Sequence, residues 1–365
     1  MKFTKIFSLV LAVIMALSMT AVFAACNDAA GGVDTSDTTA ADVTTGAPTN
    51  ATTGSEETTK APDEPEVDHD LAVNVKVLNG TTGFGIAQLM DKNAKGEAAL
   101  KYSFTVESDA SLITASLLNG STDIAALPTN AAANLYAKKA GEVQVLAVNT
   151  LGVLYVVTGE GVSVDSIDDL DGKTVYCPAQ NPAFVMQYIC KKNNVNVTID
   201  STTYAKPDAL REMVVAGKVD IAVLPEPMVT IATSANKSLS VALDLTEEWD
   251  KVSAKNSLAQ GCIVARTEFV EAHPAEVAAF LAEYEDSINY VVENPTEAGA
   301  MIEAQGVFAK GAVAAKAIPN CNLCFVTGAE MKNILTAFYT ALNEVAPASI
   351  GGAIPGDGLY YGVGK

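Results

Sequence analysis

One segment occurs twice in this chain, and the duplication limits the fold more than any other feature. GSTDIAALPTN, at residues 120–130, returns 97 residues later as GKVDIAVLPEP, and six of the first nine positions are identical. Each copy predicts a short apolar strand that follows a Gly-x-x-Asp turn and ends at a proline. The match continues at the same offset into helices predicted at 109–119 and 206–216 and strands predicted at 143–148 and 240–245. A long period that occurs only twice does not build a solenoid, so it predicts two related α/β lobes.

The length and charge of the chain narrow the class of protein. A chain of 365 residues exceeds one ordinary domain, which agrees with two lobes. Its formal net charge of −20 opposes binding to phosphate backbones, so we expect no nucleic-acid partner. Arg211 and Arg266 are its only arginines, which leaves little material for a site built on bidentate arginine clamps.

Residues 1–25 predict a signal peptide rather than part of the fold. Two lysines precede an apolar run at 6–22, which ends in small residues before Cys26. This arrangement resembles a bacterial lipoprotein signal, with Phe23 where leucine is usual, and the resemblance implies a lipid on Cys26. The alternative is ordinary secretory cleavage after one of the preceding alanines, without a lipid. The run is short for a retained membrane span.

Residues 26–70 predict a tether between that signal and the fold. They are rich in threonine, alanine, glycine and acidic side chains and contain no aromatic residue. Such a composition buries too little apolar surface to offset the entropy of ordering, so we expect a disordered segment. His69, near its end, is assigned no role.

From residue 71 onward, strands alternate with helices, which predicts mainly parallel sheets with right-handed crossovers. Strand, turn and helix are predicted at 71–78, 79–85 and 86–95, and the same order returns at 171–193. The C-terminal part is predicted to be helical at 274–295, 296–305 and 328–345, with His273 as the N-cap of the first of these helices.

Two extended segments are predicted to join the lobes. They lie at 148–161, with Gly152 as a flexible point, and at 258–267, with Gly261. We therefore assign 71–155 and 263–365 to lobe 1 and 156–262 to lobe 2. Two connecting strands between two lobes predict a hinge that closes the lobes on a bound molecule.

The candidate ligand-binding residues follow from where the strands of such lobes end. Ligands of parallel α/β sheets lie beyond the carboxyl ends of the strands, near the N-termini of the following helices. In the second repeat, Glu226 occupies the position of Thr129 in the first. The predicted set lies on the strand-to-helix turns of both lobes and on the connecting strands, and comprises Thr81, Thr82, Phe84, Thr129, Asn130, Asn149, Tyr155, Gln180, Asn181, Glu226 and Cys262.

Structural roles compete with ligand contact at several of these positions. Thr129, Asn130 and Asn181 are residue types that favour helix N-caps, and Glu226 would suit an exposed first helical turn without any ligand. Phe84 is equally compatible with core packing. Our hypothesis is that Phe84 stacks on a ring of the ligand while Glu226 accepts a hydrogen bond from an amino or ammonium group.

The sequence contains no motif that indicates an enzyme. His273 is the only histidine of the predicted folded region, and HExxH, P-loop and G-x-G-x-x-G motifs are absent from the sequence. Cys321 and Cys324 form a CxxC pair, for which a disulfide or two inert buried thiols is the favoured interpretation and a redox or metal role the alternative. We expect no cofactor, no metal site and no catalysis.

Together these features resemble the ABC-transporter solute-binding lipoproteins of the two-lobed periplasmic-binding type II fold. The likeness lies in the leader with its cysteine and in the segments NGTTGFGIAQLM, GSTDIAALPTN, LAVNTLGVLYVV, DLDGKTVY and GKVDIAVLPEPMVT. It is nearest to the branch that binds sulfonates, nitrate, taurine and thiamine precursors. The resemblance implies an extracytoplasmic monomer, anchored to the cell membrane by a lipid. It also implies that the protein captures a small solute by hinge closure and delivers it to a membrane permease.

Alternatives remain for the solute and for the function. A sulfonate- or nitrate-type anion would be held by hydroxyls and helix N-termini, whereas Glu226 favours a neutral heterocycle that bears an amine, and we lean to the heterocycle. A ligand-sensing domain of a membrane receptor is the second candidate function. An enzyme on the same fold is the third, and the lipoprotein-like leader argues against it.

Overall fold

The computed structural model of the protein describes residues 66–139 and 141–363. The predicted signal peptide, Cys26 and the tether as far as residue 65 lie outside the described residues. The end of the predicted tether contacts the fold, because the N–H of Asp68 donates to Glu276 Oε1 (2.7 Å) and His69 Nδ1 donates to the carbonyl of Ala99 (2.8 Å). Residues 68 and 69 are therefore held against the fold before the first strand begins.

Strands and helices alternate along most of the described chain. The strands are β1 (Ala72–Leu78), β2 (Lys101–Glu107), β3 (Ile124–Pro128), β4 (Val143–Thr150), β5 (Leu154–Thr158), β6 (Thr174–Tyr176), β7 (Thr198–Asp200), β8 (Ile221–Pro225), β9 (Ser240–Asp244), β10 (Gly261–Arg266) and β11 (Leu323–Val326). The helices are α1 (Thr81–Phe84), α2 (Ala87–Lys95), α3 (Ala110–Leu118), α4 (Thr129–Lys138), α5 (Asn181–Asn193), α6 (Pro207–Val215), α7 (Met228–Ala235), α8 (Leu245–Asp250), α9 (Thr267–Ala272), α10 (Pro274–Glu293), α11 (Pro295–Ala304), α12 (Gly311–Ala317) and α13 (Gly328–Val345).

The strands form two separate sheets that share one internal order. The first sheet runs β2-β1-β3-β10-β4-β11 and the second runs β7-β6-β8-β5-β9, so the first differs only by the extra edge strand β11. The two copies of the duplicated strand, β3 and β8, hold the same place in different sheets. This confirms the prediction of two similar α/β halves.

Most strands of each sheet point the same way. β1 is parallel to both β2 and β3, and β6 is parallel to both β7 and β8. One antiparallel strand lies between parallel neighbours in each sheet, β10 between β3 and β4 and β5 between β8 and β9, and the edge strand β11 is also antiparallel to β4. Because an antiparallel strand leaves its two neighbours parallel to each other, β4 and β9 run with the majority. The sheets are therefore mainly parallel, as predicted, and their parallel strands end at one shared edge in each half.

The repeat extends to the helices before the duplicated strands. Ile113 and Leu117 are the buried apolar residues of α3, and Leu210 and Val214 are those of α6, at the same offset along the chain. Spacings of four residues place both side chains on one face of each helix. The helices differ only at their starts, where Asp109 accepts the N–H of Ser111 to cap α3 while α6 begins at a proline.

The C-terminal helix α13 packs against both halves. It contacts β4 of the first sheet and α5 of the second half. Trp249, the only tryptophan of the chain, is fully buried on α8 between Tyr188 of α5 and Phe338 of α13, with ring centroids 4.9 and 5.6 Å away. Its Nε1 donates to Ser257 Oγ (2.9 Å) on the segment that returns to the first sheet. This aromatic cluster therefore joins the two halves beside one of their connections.

The C-terminal part contains a strand and a helix that the sequence does not predict. β11 forms the edge of the first sheet beside β4, and α12 precedes it. The C-terminal part is mostly helical, as predicted, but the CxxC pair does not lie on a helix, because Cys324 is in β11. Four residues are too few for an alternating pattern to identify a strand, and pairing with β4 decides the structure. His273 does stand at the N-cap of α10, but its side chain makes no capping hydrogen bond.

Candidate ligand-binding site

The chain passes between the two sheets at two places, and glycines allow close packing there. At the first, the N–H of Leu151 donates to the carbonyl of Asn322 (3.0 Å), and Asn322 Nδ2 donates to the carbonyl of Gly152 (2.5 Å). A Cβ on Gly152 would overlap Thr246 Oγ1, and a Cβ on Gly261 would lie 2.5 Å from the Oδ1 of Asn149. Both glycines are needed for close approach, which the sequence had indicated only as flexibility.

Predicted ligand-binding residues make hydrogen bonds across the facing edges of the two halves, and three of these are as follows. Thr81 Oγ1, after β1, donates to the carbonyl of Glu226, after β8 (2.7 Å). Asn130 Nδ2, on α4, lies 3.5 Å from Gln180 Oε1, which precedes α5. The third links Tyr155 of β5 to the turn before β11, through its hydroxyl and a backbone carbonyl. Several of the residues predicted to bind ligand therefore meet the opposite half directly.

Glu226 is buried at this junction, with 3 % of its surface exposed. Its carboxylate accepts the backbone N–H of Thr230 (3.1 Å) and the hydroxyl of the same residue (3.0 Å), which caps the first turn of α7. Burial raises the pKa of Glu226, and the hydrogen bonds from Thr230 and Asn320 oppose that rise. The expected first-turn role is present, but the carboxylate is not exposed.

Asn181 carries a buried amide that no protein group satisfies. The residue is 5 % exposed, and neither its Nδ2 nor its Oδ1 has a hydrogen-bond partner among the described residues. It is the first residue of α5, at the carboxyl end of β6, and its side chain does not cap the helix. A buried amide without partners costs about 1–3 kcal/mol per group. A bound molecule that offers both a donor and an acceptor would remove that cost.

Gln260 also has a buried amide atom without a partner among the described residues, and the sequence does not predict it as a site residue. Its Nε2 is buried without a partner, and its backbone carbonyl accepts the N–H of Thr129 (3.1 Å) at the first turn of α4. Gln260 lies one residue before β10, on the second connection between the sheets. The predicted extended segment at 258–267 contains it, but no residue pattern separates it from its neighbours.

Other predicted residues are enclosed by protein. Phe84 is fully buried and packs edge-to-face on Phe308, with ring centroids 6.0 Å apart, so core packing accounts for it without a ligand. Cys262 is fully buried in β10, where its thiol faces the carbonyl of Leu127 (3.6 Å). The hydroxyl of Thr129 donates to the carbonyl of Ala259 (2.7 Å), so it does not cap α4.

Asn149 and Thr82 form a polar group behind these residues. Asn149 Nδ2 donates to the carbonyl of Thr82 (2.9 Å) and lies 3.0 Å from the hydroxyl of Tyr284, while its Oδ1 accepts the hydroxyl of Thr150 (3.1 Å). The amide of Asn149 is therefore satisfied within the protein. Its position fixes the turn after β1 rather than offering free hydrogen-bonding groups.

The CxxC pair consists of two free thiols. Cys321 is buried and its Sγ lies 3.1 Å from the carbonyl of Ala317, while the Sγ of Cys324 faces the carbonyl of Val148 (3.7 Å). Burial raises the pKa of Cys321, and the charge of Glu226 raises it further. Burial likewise raises the pKa of Cys324, to about 12. Of the interpretations weighed from the sequence, the structure contains two unbonded thiols, of which Cys321 is buried and Cys324 partly buried.

Cys321 and Asn320 belong to the surroundings of Glu226, although the sequence did not place them there. The hydrogen bond from Asn320 lowers the pKa of Glu226, and the charge of Glu226 raises the pKa of Cys321. The backbone carbonyl of Asn320 also accepts the hydroxyl of Tyr155. They lie in the unpredicted turn before β11, which has no counterpart in the repeat. The CxxC spacing indicates a disulfide, inert thiols, or a redox or metal role for Cys321. It does not indicate that Cys321 lies near Glu226.

Positive charge is not directed at these residues. In the described part of the chain, no lysine or arginine side chain donates to any predicted site residue. Arg266 is bound to Asp123 (2.9 Å) and Arg211 to Asp208 (3.2 Å), so both guanidinium groups are paired with other carboxylates. A cavity of about 320 Å³ does touch the site, since Asn130 and Gln180 both line it, with Lys138 at its margin.

The described residues contain neither a membrane-spanning helix nor a cluster of metal-ligating side chains. No helix there is both long enough and apolar enough to cross a bilayer. In the same part of the chain, no three side chains of His, Cys, Asp or Glu come together as a metal site.

Three solved structures of similar fold are described as an ABC transporter and two sulfonate-binding proteins. An ABC transporter from Parabacteroides distasonis is 24% identical, with a TM-score of 0.68 over 80% of this chain and 99% of that one. The periplasmic aliphatic sulphonate binding protein SsuA from Escherichia coli is 15% identical, with a TM-score of 0.63 over 80% and 92%. The alkanesulfonate-binding protein SsuA from Xanthomonas axonopodis pv. citri, bound to MOPS, is 12% identical, with a TM-score of 0.58 over 82% and 99%.

The fold is therefore the two-lobed periplasmic-binding fold. The family model described as NMT1/THI5 like matches residues 96–298, more than half of the chain, and the chain belongs to this family. These findings confirm the resemblance drawn from the motifs. They also agree with the prediction of a binding protein rather than an enzyme. No curated protein sequence shows significant similarity to the chain.

The buried carboxylate of Glu226 makes stability depend on pH. Because its folded pKa is raised above the unfolded value, the folded state binds more protons than the unfolded state between the two values, and stability falls as pH rises through that interval. Glu226→Gln keeps an acceptor for Thr230 and removes the buried charge. We expect the variant to unfold at a higher Tm than the native protein at pH 7, and the difference to shrink below pH ~4.

Thermal unfolding monitored by circular dichroism at several pH values measures this. Glu247→Gln, which changes an exposed carboxylate on α8, serves as the matched control and should leave the difference from the native protein the same at every pH. A Glu226→Gln protein that is less stable than the native protein at pH 7 would show that the charged carboxylate stabilises the fold.

Proposed function

We propose that the protein is the extracytoplasmic solute-binding component of an ABC importer. The family and the fold support a binding protein of this class. The observation that carries the proposal is the buried amide of Asn181, which has no partner among the described residues and follows Gln180, a residue that meets the opposite half. A solute bound between the halves would complete its hydrogen bonds.

Hinge closure is part of this proposal. Lobe 1 is proposed to comprise 71–155 and 263–365 and lobe 2 to comprise 156–262, with the connections near Gly152 and Gly261 as the hinge. The three hydrogen bonds between facing edges would form as the lobes close. Since α13 contacts both halves, we expect closure to be a modest rotation about that helix rather than a wide separation.

The solute is proposed to be a neutral heterocycle that bears an amine. An asparagine amide pairs best with a molecule that presents a donor and an acceptor side by side. Glu226, buried and without a cation beside it in the described residues, suits a ligand N–H and opposes an anion. A sulfonate-type anion is the second candidate, favoured by the described ligand class of two neighbouring structures.

Isothermal titration calorimetry with taurine, a longer alkanesulfonate, an aminopyrimidine and an alkylamine tests both candidates. We expect the aminopyrimidine to bind, and Asn181→Ala to weaken it by about 10-fold or more, since two hydrogen bonds are lost. Asn193→Ala changes the same residue type at the far end of α5, where its Nδ2 donates to the carbonyl of Ile189, and should leave affinity unchanged.

Glu226→Gln separates the two solute classes. It should weaken a ligand that donates an amine to the carboxylate, and it should strengthen or leave unchanged the binding of an anion. Tight binding of a sulfonate that Glu226→Gln does not diminish would contradict the heterocycle proposal while leaving the transport proposal intact. Binding of no compound in the panel, with the Asn181 amide satisfied by protein groups in a crystal structure, would contradict both.

Anchoring to the membrane and delivery to a permease complete the proposal. The leader and Cys26 support a lipid anchor, which would keep the binding protein near its permease. We expect Cys26→Ser to release the protein from the membrane fraction and to abolish incorporation of labelled palmitate in a bacterial host. Cys324→Ser changes a thiol inside the fold and should leave the protein in the membrane fraction. Palmitate labelling that survives Cys26→Ser would contradict the anchor.

A further inference from the structure

Gln180 has a backbone conformation that is unfavourable for its residue type. Its φ is 72° and its ψ is −137°, a combination that is almost confined to glycine. The other non-glycine residues of positive φ in the described chain are Asn194, Asn256 and Asn322, and asparagine tolerates such angles far better. Gln180 therefore stands out among the described residues.

The duplicated half shows what this position normally requires. Gly80 precedes α1 after β1, as Gln180 precedes α5 after β6, and Gly80 has the similar angles of 88° and −159°. The first half thus fills the position with glycine, which adopts the conformation without a steric penalty. The second half keeps a long side chain there and accepts the strain.

The side chain of Gln180 reaches the opposite half. Its Oε1 lies 3.5 Å from the Nδ2 of Asn130, at the long limit of a hydrogen bond, and Asn130 is 6 % exposed. Both residues line the cavity of about 320 Å³ beside α3 and α4, so the pair stands at the margin of the junction rather than in its centre. An alanine or glycine at 180 could not make this contact.

We propose that Gln180 and Asn130 form a clasp that stabilises the closed arrangement of the two halves, and that the strained backbone of Gln180 serves to aim its side chain across the junction. This inference rests on the hinge closure of the proposed function but assigns the pair a positioning role rather than ligand contact. The strain persists in the sequence because glycine, the residue that would relieve it, cannot close the clasp.

Distances between the halves test the clasp without any solute. Spin labels on cysteines that replace Ala115 of α3 and Ala209 of α6, both exposed, report the separation by double electron–electron resonance in the full chain. The chain without these substitutions is the labelling blank. Loss of one hydrogen bond corresponds to a change of about 2- to 10-fold in an equilibrium constant. We expect Gln180→Ala and Asn130→Ala each to lower the ratio of short to long distances by that factor.

The double variant and the glycine variant separate a clasp from a merely structural role. If the two side chains act on each other, the double alanine variant should shift the ratio no more than either single variant. Gln180→Gly should match Gln180→Ala in distance but unfold at a higher temperature, because glycine relieves the strain that alanine retains. Asn194→Gly, at the positive-φ end of α5, should leave the distances unchanged.

The outcomes that would overturn the clasp are distinct from those that test the solute. The clasp would be contradicted if the native protein showed no short-distance population, or if neither single variant changed the ratio of short to long distances. It would also be contradicted if the double variant changed that ratio by the product of the two single factors. A Gln180→Gly protein that is less stable than Gln180→Ala would contradict the strain. Because no solute is added, failure of the calorimetric panel does not affect this result.

Discussion

The pairing of one antiparallel strand inside each sheet is the constraint on which the rest of the structure depends. β10 is hydrogen-bonded to β3 on one side and β4 on the other, and β5 is held in the same way between β8 and β9. The chain enters each inserted strand directly after crossing from the other half, from β4 to β5 and from α8 to β10. Backbone pairing therefore fixes the chain on the far side of each crossing, and the carboxyl ends of the parallel strands lie next to these crossings.

That facing arrangement determines which side chains can take part in a site. Thr81, Asn130 and Tyr155 meet the opposite half because their strands or turns end at the shared edge. Asn181 stands at the same edge, and its amide has no hydrogen-bond partner among residues 66–139 and 141–363. The proposal of a polar neutral solute rather than an anion rests on this amide and on the buried carboxylate of Glu226.

The sequence predicted the architecture because the architecture is repeated. The 97-residue offset located β3 and β8, the helices before them and the strands after them, since duplicated apolar patterns must bury equivalent faces. β11 escaped prediction because four residues carry no reliable period and no second copy supports them. The cluster of Asn320 and Cys321 around Glu226 escaped for the same reason, because it depends on where β11 docks.

The sequence predicts the segments that form the site better than it predicts the contacts of individual side chains in them. Phe84 and Cys262 lie in the right segments but are enclosed by other residues, because the turn after β1 and the strand β10 are packed on both faces. Residue type indicated that Thr129 and Asn181 favour helix caps, yet Thr129 bonds to a neighbouring loop and Asn181 to no protein group. The sequence alone does not predict the backbone strain at Gln180. The strain is recognised when the backbone angles of Gln180 are compared with those of Gly80 at the matching position of the first half.

A crystal structure of the protein with its bound solute tests the central claim most directly. The account predicts density for a small molecule between the two sheets, within hydrogen-bonding distance of both Nδ2 and Oδ1 of Asn181 and of the carboxylate of Glu226. An Asn181 amide bonded only to protein or water, with the solute bound elsewhere on the molecule, would contradict it.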